Sequence, residues 1–487
     1  MRLPEALAAM IVRALARDPA RPAIEYQGRW FTWSDLRGWA SVLIARLAQS
    51  GIAADAPVAF VPRNRPIAIA AFLGLLAAGR SVRMIYAFQS PEGVSRDIAR
   101  LGAAAVVLHG EDFTETVEAA IREAGIAAVV LEDDAIQLAV GSHSGVGFRP
   151  APEPVIEILT SGTTGPPKQF PISQRMIAEH HVGSAAFDDE AQAIAPPALL
   201  YFPLGNISGI YSTIPPLVRG QRACLLDRFS IDGWRNYVVE HRPAHSGIPP
   251  ASMGALLEAN IPREDLASLK AMGLGAAPLD PALQATFEDR YGIPILQSYG
   301  ATEFGGPVCA WTPELHARWG RAKLGSVGRA MPGAKLRVVD PDDGRELPAE
   351  AEGLLEVVSP RIGAEWIRTA DIGAIDPDGF LFLRGRADGA IVRGGFKLLP
   401  ETIERALLLH PAVAEAVVVA VPDARLGEVP AAAVRLACDS TPAELEAHLR
   451  RELPATHIPV HWRVCESLPR NPSLKLDRAA IRQLFNA

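Results

Sequence analysis

Apolar residues change their rhythm along this 487-residue chain, and each rhythm predicts a different architecture. Leu3, Leu7, Met10, Ile11 and Leu15 recur at helical spacing and predict an amphipathic first helix between Met1 and Arg21. Short apolar runs then alternate with helical stretches through the first two-thirds. Val58 to Pro62 precedes a helix near Ile67 to Ala78; Ala103 to Leu108 precedes a helix from Phe113 to Ala124 and a further run at Ala127 to Leu131. Such alternation predicts layered parallel α/β structure. From about Gly325 to Leu383 the pattern shortens to brief strands broken by turns, namely Lys335–Val339, Gly353–Val358 and Gly379–Leu383. That stretch reads as an antiparallel, barrel-like appendage. After Gly385 comes a compact α+β unit: a helix from Pro400 to His410, strands at Val413 to Val421 and near Ala431 to Leu436, and a helix from Pro442 to Glu452.

Composition refines this picture without redirecting it. A chain 49% hydrophobic and 21% charged can bury a large core, and its length suggests roughly three compact units. The net charge of −7 and the scatter of basic residues do not suggest a nucleic-acid partner. Cys224, Cys309, Cys438 and Cys465 lie far apart, which suits neither a zinc site nor a disulfide framework. They read as reduced thiols of a cytoplasmic protein, each a small core residue. The most apolar run, Ile67 to Gly79, is far shorter than the ~20 residues a spanning helix needs, so it is a buried helix and no membrane anchor is expected. Glu5 and Asp18 count against a transit peptide at the start.

The densest chemistry lies in Leu159-Thr-Ser-Gly-Thr-Thr-Gly-Pro-Pro-Lys168. Its adjacent prolines rule out a regular helix, and Val155 to Leu159 before it has the β-branched, apolar character of a strand end. A strand that opens into a Gly/Ser/Thr loop closed by Lys offers backbone N–H groups, hydroxyls and one cation to a polyphosphate. An ordinary turn uses the same residue types; the ordered arrangement favours the phosphate loop. A Walker loop is excluded, because Pro167 stands where Gly162 would require a glycine before the Lys-Ser/Thr pair.

Thr160-Ser-Gly-Thr-Thr-Gly-Pro-Pro-Lys168 resembles the signature loop of the adenylate-forming superfamily, which includes acyl-CoA synthetases, luciferases and peptide-synthetase adenylation domains. Further segments resemble that family's other motifs in the right order: Leu274-Gly-Ala-Ala-Pro-Leu279, Gln297-Ser-Tyr-Gly-Ala-Thr-Glu303, Arg368-Thr-Ala-Asp-Ile-Gly373, Gly385-Arg-Ala-Asp388, Gly394-Gly-Phe-Lys-Leu-Leu-Pro400 and Leu468-Pro-Arg-Asn-Pro-Ser-Leu-Lys-Leu-Asp-Arg478. The likeness covers nearly the whole chain. It implies a large N-terminal domain, residues 1–385, of parallel α/β subdomains to about 320 and a distorted β-barrel over about 321–385. A small mobile α+β lid, 386–487, would follow a hinge near Asp388.

The resemblance also implies a chemistry, attack of a carboxylate on the α-phosphate of ATP to give an acyl-adenylate and pyrophosphate. Thr160, Ser161, Gly162, Thr163, Thr164, Gly165 and Lys168 would hold the β- and γ-phosphates. Gly275, Ala276 and Ala277 would pass close to adenine, with Tyr299 offering an aromatic face and Ser298, Gly300 and Ala301 flanking it. Thr302 would contact the α-phosphate and Glu303 would ligate Mg²⁺, a hard cation suited to one carboxylate plus phosphates. Asp371 would accept both ribose hydroxyls, reinforced by Arg386, whereas Asp376 and Asp378 read as turn residues. Lys475 would meet the carboxylate and bridging oxygen during adenylation. Asn206, Gly209 and Gly306 would line the acyl site, and Gly394, Gly395 and Lys397 would border a path for coenzyme A.

Several positions depart from the family pattern. Leu474 replaces the usual Gly before the lysine, and Asn206 stands where many relatives carry His or an aromatic residue. Asn hydrogen-bonds but does not titrate near neutral pH. Gln174 and Gln169 likewise replace a His and a small residue, which reads as tuning. The wording around Gly394 resembles the acyl-CoA ligase branch. A carboxylic acid–CoA ligase is therefore the first expectation; transfer to a carrier-protein thiol and a catalytically silent ligand-binding protein stay open. The acid is not readable, and the protein would be a monomer or homodimer.

Overall fold

The computed structural model describes residues 5–87, 89–141, 148, 151, 153–160, 168–183, 189–277, 279–393, 396–423, 426–453, 455–471 and 475–485. It forms two compact units, Met1–Pro243 and Ala244–Ala487. The division expected between 385 and 386 lies inside the second.

The first unit is built on a seven-stranded sheet, in the order Ile136–Val140, Ala127–Leu131, Ala105–His109, Val58–Val61, Val82–Met84, Val155–Thr160 and Lys168–Ser173. Its inner strands run parallel and its two edge strands antiparallel. Strands covered on both faces read as unbroken apolar runs, and Val58–Val61 and Ala105–His109 are buried throughout. Helix Pro66–Ala77 is apolar all round and buried except at its end, as the run at Ile67 predicts. A four-stranded sheet accompanies it, ordered Ala198–Leu200, Ala223–Leu225, Pro22–Tyr26 and Arg29–Thr32.

In the second unit, His245–Gly247, Ala271–Leu274 and Ile295–Ala301 are parallel, and the sheet continues antiparallel through Gly306–Ala310 and Arg329–Ala330. The barrel-like stretch is a four-stranded antiparallel sheet of Lys335–Val339, Gly353–Val358, Ile367–Ile375 and Leu381–Arg386. The last strand starts later than Gly379. Asp376 to Gly379 is a turn in which Gly379 adopts φ +81°, and Asp376 Oδ1 accepts the Phe380 N–H at 2.8 Å. Asp376 and Asp378 are thus turn residues as expected, and each also holds Lys323 Nζ at 2.6 Å.

The final sheet orders Phe396–Leu398, Ile391–Arg393, Gly427–Leu436 and Val413–Asp423, with His461–Val464 parallel to Gly427–Leu436. Helix Pro442–Glu452 begins where the Thr441/Glu444 capping box begins it. The fold is mixed α/β with parallel sheets. Among the described residues no helix is long and apolar enough to cross a membrane. All four cysteines are free; Cys224 and Cys309 are buried, but Cys438 is exposed, in the turn following Gly427–Leu436. Its expected core placement is corrected: the strand has ended, and a lone small apolar residue in a polar turn has nothing to pack on.

Candidate functional site

In the first unit, Val155–Thr160 and Lys168–Ser173 pair in continuous register from Val155 opposite Ser173 to Thr160 opposite Lys168. The strand before the loop was legible; the return strand was not, since Lys-Gln-Phe-Pro carries little β pattern. Ser161, Gly162, Thr163, Thr164 and Gly165 lie outside the described residues. The loop's first strand is anchored from the core. Arg83, fully buried, pairs with Glu157 Oε2 at 3.2 Å and donates to the Leu101 and Gly102 carbonyls at 2.8 and 2.5 Å. Gln174 is buried and donates to the Arg80 carbonyl at 2.8 Å, so this departure ties the hairpin to its neighbour.

Asn206 is the N-cap residue of helix Ile207–Arg219, and its side chain makes no capping hydrogen bond. Gly209 is buried, and a Cβ there would lie 2.1 Å from the Pro203 carbonyl oxygen, so close backbone approach requires glycine. Further along the same helix the Tyr211 ring stacks on His181 at 3.6 Å between centroids. His181 belongs to a π-helical turn, Ile177–Val182, a rare geometry frequent at functional sites. Nothing in the sequence pattern signals that turn.

In the second unit, a Cβ on Gly275 would meet Ser298 Oγ at 2.7 Å, and Ala276 sits in the left-handed region at φ +68°. A non-glycine residue held there is uncommon and concentrates at functional sites. Ala277 follows in the same bend. Gly300 and Ala301 end strand Ile295–Ala301 at a bulge, facing Pro307 and Gly306. The chain then makes a single 3₁₀ turn, Thr302–Phe304, secured where Ser359 Oγ donates to the Phe304 carbonyl at 2.6 Å. That turn leaves Glu303 exposed and Phe304 buried.

Asp371 lies across from Arg386 in the ladder between Ile367–Ile375 and Leu381–Arg386, beside a bulge. Its Oδ2 accepts the Tyr299 hydroxyl at 2.5 Å, and its Oδ1 faces an Arg386 guanidinium nitrogen at 3.4 Å. Its own N–H donates to Thr369 Oγ1 at 3.0 Å. Burial, then the charge of Asp371, pushes the Tyr299 phenol far above its usual range. Sequence reading gave Tyr299 an aromatic face and missed this hydroxyl, because its partner lies 72 residues away.

Lys475 closes a tight loop. Asn471 N–H donates to the Lys475 carbonyl at 2.7 Å, and Asn471 Oδ1 accepts the Lys475 N–H at 3.1 Å. Leu474 lies outside the described residues. Lys475 keeps solvent access, yet enough protein surrounds its ammonium, with the Arg386 charge nearby, to lower its pKa below that of an ordinary lysine. Arg478 anchors the loop on Glu404 at 2.9 Å and Glu401 at 3.3 Å. Asp388 falls in a 3₁₀ turn, Ala387–Gly389, and Lys397 in strand Phe396–Leu398, while Gly394 and Gly395 lie outside the described residues. The second unit therefore gathers Tyr299, Asp371 and Arg386, and Lys475 feels the charge of Arg386.

Among the described residues no group of three or more His, Cys, Asp or Glu side chains is placed to hold a metal. The exposed carboxylate of Glu303 fits Mg²⁺ only in the way nucleotide sites use it, as one hard oxygen ligand beside substrate phosphates and water.

The family model described as "AMP-binding enzyme" matches residues 11–364, and that described as "AMP-binding enzyme C-terminal domain" matches 402–475. Among curated proteins, a sulfoacetate–CoA ligase of Cupriavidus necator is 30% identical over 97% of each chain. A fatty acid–[acyl-carrier-protein] ligase of Streptomyces coeruleorubidus is 27% identical over 96% of this chain and 94% of its own. Among solved structures, ATP-bound MatB from Rhodopseudomonas palustris superposes with a TM-score of 0.82 at 22% identity, covering 98% of this chain and 99% of its own, and shares the fold.

Proposed function

We infer that this chain, which belongs to the AMP-binding enzyme family, is an ATP-dependent ligase that joins a carboxylic acid to coenzyme A through an acyl-adenylate. The acid's carboxylate attacks the α-phosphate of ATP, pyrophosphate departs, and the thiol of CoA then displaces AMP from the mixed anhydride. Two anions must approach each other in the first step, so the rate depends on cations and donors fixed where charge accumulates. The loop between Thr160 and Lys168 would hold the β- and γ-phosphates, with Ser161, Thr163 and Thr164 as hydroxyl donors. Thr302 would meet the α-phosphate, and Asp371 with Arg386 would take the ribose. Glu303 would hold Mg²⁺, which when bound supplies charge neutralisation for the phosphates. Lys475 would donate to the attacking carboxylate and the bridging oxygen.

The single observation that carries the reading is the Tyr299–Asp371–Arg386 arrangement, a carboxylate held between a buried phenol and a guanidinium. The small domain is proposed to begin at 386 and hinge at Asp388, so that Gly394, Gly395 and Lys397 enter the site for the second step. Four free cysteines suit a cytoplasmic location.

The carrier-protein ligase among the relatives favours a second reading, in which a phosphopantetheine thiol replaces CoA. A thioester assay separates the two. With an acid that supports pyrophosphate release, free CoA should be acylated at a rate matching that release. If CoA stays unacylated while an added carrier protein is charged, the second reading replaces the first. Gly395→Leu should spare adenylate formation and depress thioester formation; unchanged thioester formation would remove the proposed CoA path.

A further inference from the structure

The Tyr299 ring is 8% exposed and packs in a core cluster with Phe304, Val308, Leu355 and Leu381. Its one polar atom reaches out of that core to Asp371 Oδ2 at 2.5 Å. Burial and the neighbouring carboxylate both disfavour the phenolate, which keeps the hydroxyl a donor. The opposite oxygen, Oδ1, meets Arg386 at the longer distance of 3.4 Å, through a side chain 48% exposed. The carboxylate is therefore held on one side by a short bond from a buried ring and on the other by a longer contact to a partly exposed cation. A carboxylate has about four acceptor positions, so two partners leave room for two more.

We propose that Tyr299 is a positioning residue for the nucleotide ribose, locking the Asp371 carboxylate from the protein interior so that its remaining acceptor positions face both ribose hydroxyls. The proposal rests on the assignment of Asp371 as the ribose acceptor made above. A freely rotating Asp371 would still attract ribose but would lose the fixed geometry needed to engage both hydroxyls together. Tyr299 thus sets discrimination between ribonucleotide and deoxyribonucleotide without touching the sugar.

The test is a cycle of Tyr299→Phe, Asp371→Asn and the double variant, assayed by pyrophosphate exchange into ATP and into 2′-deoxyATP. Phe keeps the packed ring and removes only the donor. Tyr299→Phe should raise KM for ATP about tenfold, the scale of one hydrogen bond to a charged group. KM for the acid should not move, and the preference for ATP over 2′-deoxyATP should shrink. Asp371→Asn should do more, and the double variant should match Asp371→Asn within about twofold if Tyr299 acts on the ribose through that carboxylate. Fully multiplicative effects, or an unchanged ATP preference in Tyr299→Phe, would overturn the positioning role while leaving the ribose assignment intact. An unchanged KM for ATP in Asp371→Asn would instead overturn the ribose assignment itself. Should Tyr299→Phe fail to fold, Asp371→Glu decides, since it keeps the charge but moves it off the Tyr299 hydroxyl: an unchanged KM for ATP and an unchanged ATP preference would contradict the proposal.

Discussion

Thr160 and Lys168 face each other on the last rung of an antiparallel ladder, so the loop between them leaves and rejoins the sheet at one point. Under the proposed function, that strand pairing would hold the ends of the phosphate loop in register. Lys168 is the cation of that segment.

Lys168→Ala should lower kcat/KM for ATP in pyrophosphate exchange about 10–100-fold, the range of a lost charge-assisted hydrogen bond. Thermal unfolding should stay near wild type, because a strand-end lysine contributes little to the fold. An unchanged kcat/KM would detach Lys168 from the phosphates.

Arg83 and Glu157 form a buried cross-strand pair three residues before Thr160. Arg83→Met leaves a buried carboxylate without its cation and should destabilise by about 3–5 kcal/mol. Arg83→Met with Glu157→Met removes both charges and should recover part of the loss, the Leu101 and Gly102 carbonyls still lacking the Arg83 donor. Midpoints of thermal unfolding should rank the single variant well below the double; the reverse order would mean that the pair is not a matched unit.

Arg478 joins the Lys475 loop to Glu401 and Glu404, and burial raises the Glu404 pKa despite the arginine. Arg478 is 41% exposed, so Arg478→Met should cost only about 2 kcal/mol, less than a fully buried pair. It should also slow adenylation by loosening the loop that carries Lys475. Glu404→Gln, which keeps a polar group and removes the buried charge, should be milder on both counts. Melting curves and pyrophosphate exchange on the same preparations check the ranking.

Lys475 loses its proton at lower pH than an ordinary lysine, through burial first and the Arg386 charge second. The role proposed for Lys475 requires the protonated form, so adenylation should fall on the alkaline side, below the usual lysine pKa of about 10.4. Arg386→Gln removes a repelling cation and should move that limb to higher pH, even as KM for ATP rises. A limb that stays in place would show that another group sets it.

Elements defined by local pattern were legible in the sequence. Pro442–Glu452, Lys335–Val339 and Gly353–Val358 begin and end where periodicity and turn residues placed them, because capping and alternation act within a few residues. What depends on distant partners was not. The Tyr299–Asp371 bond spans 72 residues and the Arg83–Glu157 pair 74, and neither side chain advertises its partner. The π turn at Ile177–Val182 and the left-handed Ala276 also escaped, since both are set by surrounding packing rather than local preference. Lys168–Ser173 was missed because a central proline weakens its strand signal.

The most direct test is acid-dependent exchange of pyrophosphate into ATP, with a panel running from sulfoacetate through short and medium aliphatic acids to aryl acids. At least one acid should stimulate exchange well above background, and AMP should accumulate in step with acyl-CoA once CoA is added. Exchange at background across the whole panel, in protein that still unfolds cooperatively, would contradict the assignment of this chain as an adenylate-forming ligase.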